Sequence, residues 1–343
     1  MTKFKIIFTA TILIFVTLFL SMDKKPVEKV VATTPITPTM TVAVEGSSVK
    51  SSAGKKNDTS INTKIESQTR SVKFGAVVSE FSDNVGDVFP LQEKLDTKIS
   101  TVSIFKHFGL PSNKYLPPNL QTLKESNINL QIAWEPWNPE EGLTQSVDYL
   151  TQIPLGTHDT YITEFANSIK NYGGNVTLRF GHEMNGNWYP WSRPGEYVNA
   201  YRYIVDKFRS LGVSNVKFMW SVNAQNVPSS PISTLESFYP GAEYVDIIGI
   251  DGFNFGGQNW QSFSQIFTSS YNFLQKYNKP IYISETASAE NGGDKSQWVK
   301  SMFAKELANF PKIEEIVWFN IQKERDWRVD SSPQVLEAFN QAL

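Results

Sequence analysis

Short runs of β-branched and aromatic residues alternate with longer amphipathic stretches from about residue 71 to the C-terminus. Such alternation is typical of repeated β-α units arranged around a parallel sheet. The short runs predict eight strands, at 73–81, 100–108, 128–134, 175–180, 216–222, 245–250, 280–284 and 315–319. The chain is therefore expected to fold as an α/β protein with its strands and helices in regular succession.

The longer stretches between the strands have the start and stop signals of helices. The stretch 158–172 ends at Gly173, and the stretch 194–211 begins with Pro194 and ends at Gly212. Proline at the first turn and glycine after the last are favoured at these positions. Further helices are predicted at 258–277, 295–310 and 332–342. Eight such units close into a (β/α)8 TIM barrel, whose active site lies where the C-terminal ends of the strands meet.

The N-terminal segment has the pattern of an export signal. Lys3 and Lys5 precede an apolar run at 6–22, which is long for a signal peptide and short for a membrane-spanning helix. No small-x-small cleavage pattern follows it directly, so residues 1–22 are interpreted as a signal anchor in preference to a cleaved signal peptide. An extracellular protein, secreted or attached to the membrane through residues 6–22, is expected; a mature N-terminus at Thr33 would indicate cleavage.

Two segments follow the apolar run. Residues 23–70 are rich in Ser, Thr, Lys and Pro, with few large apolar side chains to offset the entropy of ordering, and are predicted to form a flexible linker. Residues 71–343 contain all the predicted strands and form the catalytic domain.

Composition restricts the chemistry. The chain has no cysteine, so disulfides, thiol nucleophiles and thiolate metal sites are excluded, and its three histidines make a histidine-rich metal centre improbable. A metal-dependent hydrolase is accordingly disfavoured, and no cofactor is expected. The net charge of −2, from 34 acidic and 32 basic residues, provides no strong field to attract nucleic acid. A monomer acting on a neutral ligand is predicted.

Two predicted strands end in glutamates that suit glycoside hydrolysis. The strand at 175–180 leads into Glu183, and the strand at 280–284 leads into Glu285, so the two residues should face each other across the barrel mouth. A retaining glycosidase needs two carboxyls about 5–5.5 Å apart, one to protonate the leaving oxygen and one to attack the anomeric carbon. Arg179 and His182 are expected to hold these carboxyls in orientation.

Other residues near the predicted strand ends are candidates for binding sugar. Aromatic faces match the apolar faces of pyranose rings, while hydroxyls need hydrogen bonds. Glu135 is interpreted as a ligand of a sugar hydroxyl, and Glu80 is a rival for either catalytic role. The remaining candidates are Trp134, Trp137, Trp188, Trp191, Trp327, His107 and Asn223.

Several motifs resemble those of glycoside hydrolase family 26. They are HEMNG at 182–186 followed by Trp188, WSVN at 220–223, VDIIGIDG at 245–252, Ser284-Glu285, and DWRVD at 326–330. The family consists mainly of endo-β-mannanases, with some β-1,3-1,4-glucanases and β-1,3-xylanases. The resemblance implies that Glu183 is the proton donor, that Glu285 is the nucleophile, and that His182 and Trp188 belong to the substrate site.

One position departs from the family pattern. Members usually have a tyrosine after strand six that donates a hydrogen bond to the nucleophile, and Phe253 occupies the matching position. Either Tyr282, Asn254 or Asn223 replaces this donor, or the pKa of the nucleophile and the reaction rate are altered. The aromatic stretch 188–191 also differs from the Trp-rich run typical of mannanases, which weakens the case for mannan.

The resemblance therefore predicts a retaining endo-β-glycanase that hydrolyses internal bonds of a neutral β-linked polysaccharide. β-1,4-Mannan and β-1,3-1,4-glucan remain alternative substrates, since they differ mainly in one hydroxyl's orientation and in linkage. Because of Phe253, a carbohydrate-binding barrel with weak or no catalysis is the alternative function.

Overall fold

A closed barrel of eight parallel strands forms the centre of the computed structural model, which describes residues 72–79 and 84–343. Each strand pairs with the next, and β8 pairs with β1 to close the barrel. The strands are β1 Lys73–Val77, β2 Thr101–His107, β3 Asn129–Glu135, β4 Val176–Phe180, β5 Val216–Asn223, β6 Ile247–Asn254, β7 Ile281–Ser288 and β8 Ile313–Phe319. The predicted (β/α)8 barrel is confirmed.

Helices surround the barrel and cover the apolar outer faces of its strands. They are α1 Val88–Leu95, α2 Gln121–Glu125, α3 Tyr149–Gln152, α4 Asp159–Tyr172, α5 Pro194–Ser210, α6 Phe263–Leu274, α7 Lys295–Ala304 and α8 Pro333–Ala342. Short 3₁₀ helices lie at Val85–Asp87, Pro111–Asn113, Pro139–Glu141, Ile232–Phe238, Gly257–Asn259, Gln275–Tyr277 and Glu306–Asn309. The predicted helix at 258–277 begins later than expected, because Ser262 and Gln265 form a capping box that starts α6 at Phe263.

Three strands end four residues away from their predicted ends. β1 ends at Val77 instead of residue 81, whereas β6 and β7 each continue four residues beyond their predicted ends. The added part of β6 pairs with the added part of β7 as far as Asn254 opposite Ser288. The apolar runs stop where polar residues begin, but a parallel ladder uses backbone groups and continues through polar positions. Asp251 and Glu285 consequently lie within strands.

The inside of the barrel beneath its mouth is packed too tightly for a side chain at Gly249 on β6. A Cβ atom at Gly249 would lie 2.4 Å from Ser284 Oγ and 2.8 Å from Ser221 Oγ. Glycine is therefore required here so that hydroxyls from β5 and β7 can approach each other below the site.

Several predictions concern residues outside the described ranges. The apolar run 6–22, the linker 23–70 and Glu80 all belong to this group. Within residues 72–79 and 84–343, no helix combines the length and apolar character needed to cross a membrane.

Candidate active site

Glu183 lies in the turn that follows β4, in an unusual backbone conformation. Its φ is +52°, in the left-handed region that side chains other than glycine rarely adopt, and Gly181 just before it has φ +55°. The Glu183 N–H donates to the carbonyl oxygen of Ser221 on β5, at 2.9 Å. The turn is thus tied to the neighbouring strand, and the strained conformation is held in place at the barrel mouth.

Trp188 orients the carboxyl group of Glu183. Its indole Nε1–H donates to Glu183 Oε2 at 2.8 Å. Both side chains are partly exposed, so a ligand in the barrel mouth has access to this carboxyl. Trp188 thus contacts the expected proton donor itself.

Glu285 on β7 is held by Arg179 on β4. The guanidinium donates from Nη1 to Glu285 Oε1 at 2.5 Å and from Nη2 to Asp251 Oδ2, also at 2.5 Å. Arg179 is fully buried, and Glu285 is 5% exposed. Sequence reasoning expected Arg179 to orient the carboxyls, and the geometry agrees for Glu285.

Asp251 on β6 is the centre of a buried polar cluster beneath the two glutamates. Besides Arg179, the hydroxyls of Ser221 and Ser284 donate to it, at 2.9 and 2.7 Å. The pairing of β7 with β8 shifts register between Ile283 and Thr286. Successive residues of a regular strand point to opposite faces, and this irregularity allows Ser284 and Glu285 to reach the same cluster.

The pKa values of the two glutamates are shifted by different neighbours. Burial, Asp251 and Glu285 raise the pKa of Glu183 well above its usual range, although Trp188 and Arg179 oppose the rise. Burial raises the pKa of Glu285 to about 7, against the lowering effect of Arg179. Of the two carboxyls, Glu183 is therefore the one that keeps its proton, because the guanidinium contacts Glu285 directly and favours the ionised form of Glu285.

A second buried group lies beside the pair, around Glu135 at the end of β3. Glu135 Oε2 accepts from Trp137 Nε1 at 2.6 Å and lies 2.9 Å from His107 Nε2. Burial raises the pKa of Glu135, but His107, His182 and Trp137 outweigh burial and hold it below its usual value. His182 lies further away, with Nδ1 3.9 Å from Glu135 Oε1.

His182 remains neutral near pH 7. Burial and Arg179 lower its pKa to about 4, against the opposing effect of Glu135. Its Nε2 lies 3.2 Å from the Tyr189 hydroxyl, while its buried Nδ1 has no hydrogen-bond partner. The ring is thus held in position by Tyr189, and its second nitrogen is buried without a hydrogen-bond partner.

Comparisons with known proteins agree with this geometry. The profile of glycosyl hydrolase family 26 matches residues 145–341. The chain is 42% identical over 265 residues, 74% of its length, to Endoglucanase H of Acetivibrio thermocellus. The chain belongs to glycosyl hydrolase family 26. It is also 28% identical over 147 residues, 38% of its length, to a mannan endo-1,4-β-mannosidase of Bacillus subtilis.

A solved structure extends the likeness to the whole barrel. A Bacillus subtilis mannanase superimposes with a TM-score of 0.60 at 20% identity, covering 79% of this chain and 85% of the mannanase. The family 26 chain spans only part of its curated relatives, since the matches cover 28% of Endoglucanase H and 36% of the mannosidase.

Three tryptophans predicted to bind sugar in this family 26 chain are buried in structural positions. Trp134 faces the helices, where it stacks on Phe165 at 4.4 Å. Trp191 is fully buried, and its Nε1–H donates to the His182 carbonyl. Trp327 is 1% exposed. A buried ring offers no free face to a sugar, so the expectation of direct stacking is wrong for these three residues.

The hydrogen-bond donor to Glu285 in this family 26 chain is none of the three residues expected to replace the family tyrosine. Tyr282 lies opposite Glu315 in the register of β7 and β8, and Glu315 accepts a hydrogen bond from the Ser100 hydroxyl just before β2. Asn254 donates to Ser288 Oγ, and Asn223 donates to the carbonyl of Gln225. Arg179 provides the hydrogen bond instead, because it is the donor that β4 places inside the barrel.

Sequence reasoning missed Asp251, which this family 26 site places at its centre. A signal was present, since Asp251 directly follows the apolar run predicted as strand six, just as Glu285 follows strand seven. Ser221 and Ser284 carried no such signal, because serines are common and their role depends on three strands meeting.

Proposed function

We propose that this chain is a retaining endo-β-glycanase in which Glu183 is the acid/base and Glu285 the nucleophile. The observation that supports this most is the unequal environment of two carboxyls at one barrel mouth. Glu285 is held by the Arg179 guanidinium, whereas Glu183 is contacted by a neutral indole. Two glutamates with different proton affinities are what acid and nucleophile require.

In the first step, the Glu285 carboxylate attacks the anomeric carbon while the glycosidic C–O bond breaks. Glu183 donates its proton to the departing oxygen, and a covalent glycosyl-enzyme ester forms on Glu285. Arg179 keeps Glu285 ionised and oriented before attack.

In the second step, a water molecule replaces the leaving group. Glu183, now a carboxylate, accepts a proton from this water as its oxygen attacks the anomeric carbon. The ester bond breaks, Glu285 recovers its electron pair, and the sugar leaves with the original anomeric configuration. Trp188 remains bonded to Glu183 and keeps the carboxyl aimed at the cleavage point.

A mixed-linkage β-glucan is the preferred substrate, with β-1,4-mannan second. The first preference is supported by the 42% identity to an endoglucanase, and by the aromatic stretch 188–191, which departs from the mannanase pattern. The mannan alternative is supported by the mannosidase at 28% identity.

A substrate screen tests the proposed activity. The protein is incubated with lichenan, barley glucan, mannan, galactomannan and xylan, and new reducing ends are measured. Glu183→Gln and Glu285→Gln should each lower activity about 10³-fold or more, while the exposed Glu140→Gln should not. If the parent protein releases no sugar from any of the five polysaccharides, a carbohydrate-binding barrel without turnover replaces this proposal.

Retention is measured separately by following the anomeric proton of fresh product by NMR. The first-formed hemiacetal should have the β configuration of the substrate. An α product would show that Glu285 activates water instead of attacking the sugar.

Export is a further part of the proposed function. The charged and apolar pattern of residues 3–22 supports an extracellular location, with residues 6–22 as a membrane anchor. The intact protein should fractionate with membranes, and removal of residues 1–22 should release it. A mature N-terminus at Thr33 would instead indicate a cleaved signal.

A further inference from the structure

A row of aromatic rings crosses the barrel mouth from His182 to the loop after β6. Phe105 lies 6.1 Å from the His182 ring and 6.4 Å from Phe319, between ring centroids. Phe319 lies 5.4 Å from Phe253, which lies 5.9 Å from Phe255. We call these four phenylalanines the aromatic row.

Exposure increases along the row towards its outer end. Phe105 and Phe319 are buried, Phe253 is partly exposed and Phe255 is 49% exposed. A single exposed phenylalanine needs no explanation by itself. The continuity with His182, which adjoins Glu183, is what connects Phe255 to the active site.

Two contacts hold Phe255 in place. The Trp327 ring lies nearly perpendicular to it at 5.4 Å, and Arg325 donates from Nε to the Phe255 carbonyl at 3.2 Å. Trp327 also supports Phe253 at 5.5 Å. Trp327 therefore packs against two rings of the row. The position of Phe255 depends on the loop after β6, which contains it, and on the loop after β8, which contacts it.

We propose that Phe255 is an outer sugar-stacking platform of the cleft, with the aromatic row leading from it to the catalytic pair. The inference rests on the proposed function, and its occupant is a sugar unit of the substrate remote from the cleaved bond. The exposed ring supplies an apolar face, and the exposed Arg325 guanidinium beside it supplies hydrogen-bond donors for hydroxyls.

Phe253 gains a specific role in this arrangement. A tyrosine there would place a hydroxyl within the row, whereas phenylalanine keeps the surface between Phe319 and Phe255 apolar. The residue that departs from the family pattern thus contributes to a binding surface, while Arg179 orients the nucleophile.

The test compares oligosaccharides of increasing length on the full chain. Kinetics are measured for Phe255→Ala and Phe255→Trp on mixed-linkage β-glucan and β-1,4-mannan oligosaccharides from three to six sugars. Tyr115→Ala is the matched control, since Tyr115 is 48% exposed but packs against Tyr161 on α4. Calorimetry with the six-sugar ligands measures binding independently of turnover when Glu285→Gln is added to both proteins, so that no ligand is cleaved.

Phe255→Ala should lower kcat/KM about fivefold for the longest oligosaccharide and leave the shortest nearly unchanged, because one stacking contact is lost. For Phe255→Trp, kcat/KM should depend on oligosaccharide length as it does in the parent. Tyr115→Ala should leave kcat/KM unchanged at every length. Equal kcat/KM for Phe255→Ala and parent at every length would overturn the platform.

Calorimetry separates failure of this inference from failure of the proposed function. If the parent hydrolyses nothing, the proposed function fails, but weaker binding of six-sugar ligands to Phe255→Ala than to the parent still supports the platform. Equal binding by the two proteins, or none by either, overturns it.

Discussion

At the residue scale, the active site is defined by an excess of buried carboxylates over cations. Asp251 and Glu285 both contact the fully buried Arg179, and Glu183 lies close enough for their charges to raise its pKa. His182 does not offset the excess, since its pKa is lowered to about 4 and it is neutral at pH 7. Protonation of Glu183 is therefore the favourable way to relieve repulsion among these groups.

Replacing Asp251 by asparagine should move the whole pH profile to lower pH. Asp251 raises the pKa of both Glu183 and Glu285, so loss of its charge lowers both. The acidic limb of kcat/KM, set by ionisation of Glu285, and the basic limb, set by loss of the Glu183 proton, should both shift downward. The exposed Asp206→Asn is the control; unchanged limbs in Asp251→Asn would contradict the role given to this charge.

Replacing Trp188 by phenylalanine should move only the basic limb of the pH profile of kcat/KM, to higher pH. The indole N–H lowers the pKa of Glu183 by bonding its carboxylate form, so its loss raises that pKa. The basic limb should move to higher pH, while the acidic limb stays in place and kcat falls as the carboxyl loses its orientation. Trp260→Phe, in the loop after β6, controls for general effects of losing an indole. A downward shift of the basic limb would exclude the proposed bond.

At the element scale, the loops after the last strands are joined by buried polar contacts. Lys295 at the start of α7 is 1% exposed and donates to the carbonyls of Asp326 and Arg328 and to Ser331 Oγ. The loop after β8 carries Trp327, which supports the aromatic row. One lysine on α7 therefore helps to hold a loop at the edge of the cleft.

Replacing Lys295 by methionine should destabilise the protein by about 2 kcal/mol at pH 7, because two partly buried carbonyls lose their donor. Burial lowers the Lys295 pKa from 10.5 to about 8 in the folded chain. The penalty for its buried charge applies below pH 8 and disappears as pH rises to 10.5, so the parent should gain stability over the variant in that window. Urea unfolding at pH 7 and 9.5 measures the difference.

The exposed Lys305→Met, at the other end of the same helix, controls for loss of a lysine. Equal stability of Lys295→Met and the parent at pH 9.5 would show that the loop after β8 is held by other contacts.

At the scale of the whole molecule, the barrel depends on the pairing of β1 with β8. Helix α8 covers this closure through Phe339, which is fully buried and contacts Phe74 on β1 at 5.9 Å and Trp318 on β8 at 4.8 Å. The last helix of the chain thus joins the first and last strands.

Truncating Phe339 to alanine should lower the free energy of unfolding by about 3–5 kcal/mol, because a large cavity forms beside the closing strands. The kcat of the folded variant should equal that of the parent, since Glu183 follows β4 and Glu285 lies on β7. Urea denaturation and kcat at low temperature provide the two measurements. Leu155→Ala, which truncates a side chain that is 79% exposed, should change stability by less than about 0.5 kcal/mol.

Much of this molecule could be predicted from local sequence. Apolar runs located all eight strands within a few residues, and their order predicted the barrel, because hydrophobic periodicity and short connections are local properties. The family motif and the strand ends predicted that Glu183, Glu285 and Arg179 meet at the barrel mouth, since the C-terminal ends of barrel strands converge.

Tertiary structure decided which side of each strand or loop a residue occupies. Trp134 and Glu135 are neighbours in sequence, yet one packs against Phe165 on a helix and the other accepts hydrogen bonds at the barrel mouth. Asp251 is a second example, because its contact with Arg179 joins two strands that are far apart in the sequence. Bulges, register and the charges contributed by other strands arise only when the barrel closes, because they depend on contacts between residues far apart in the chain.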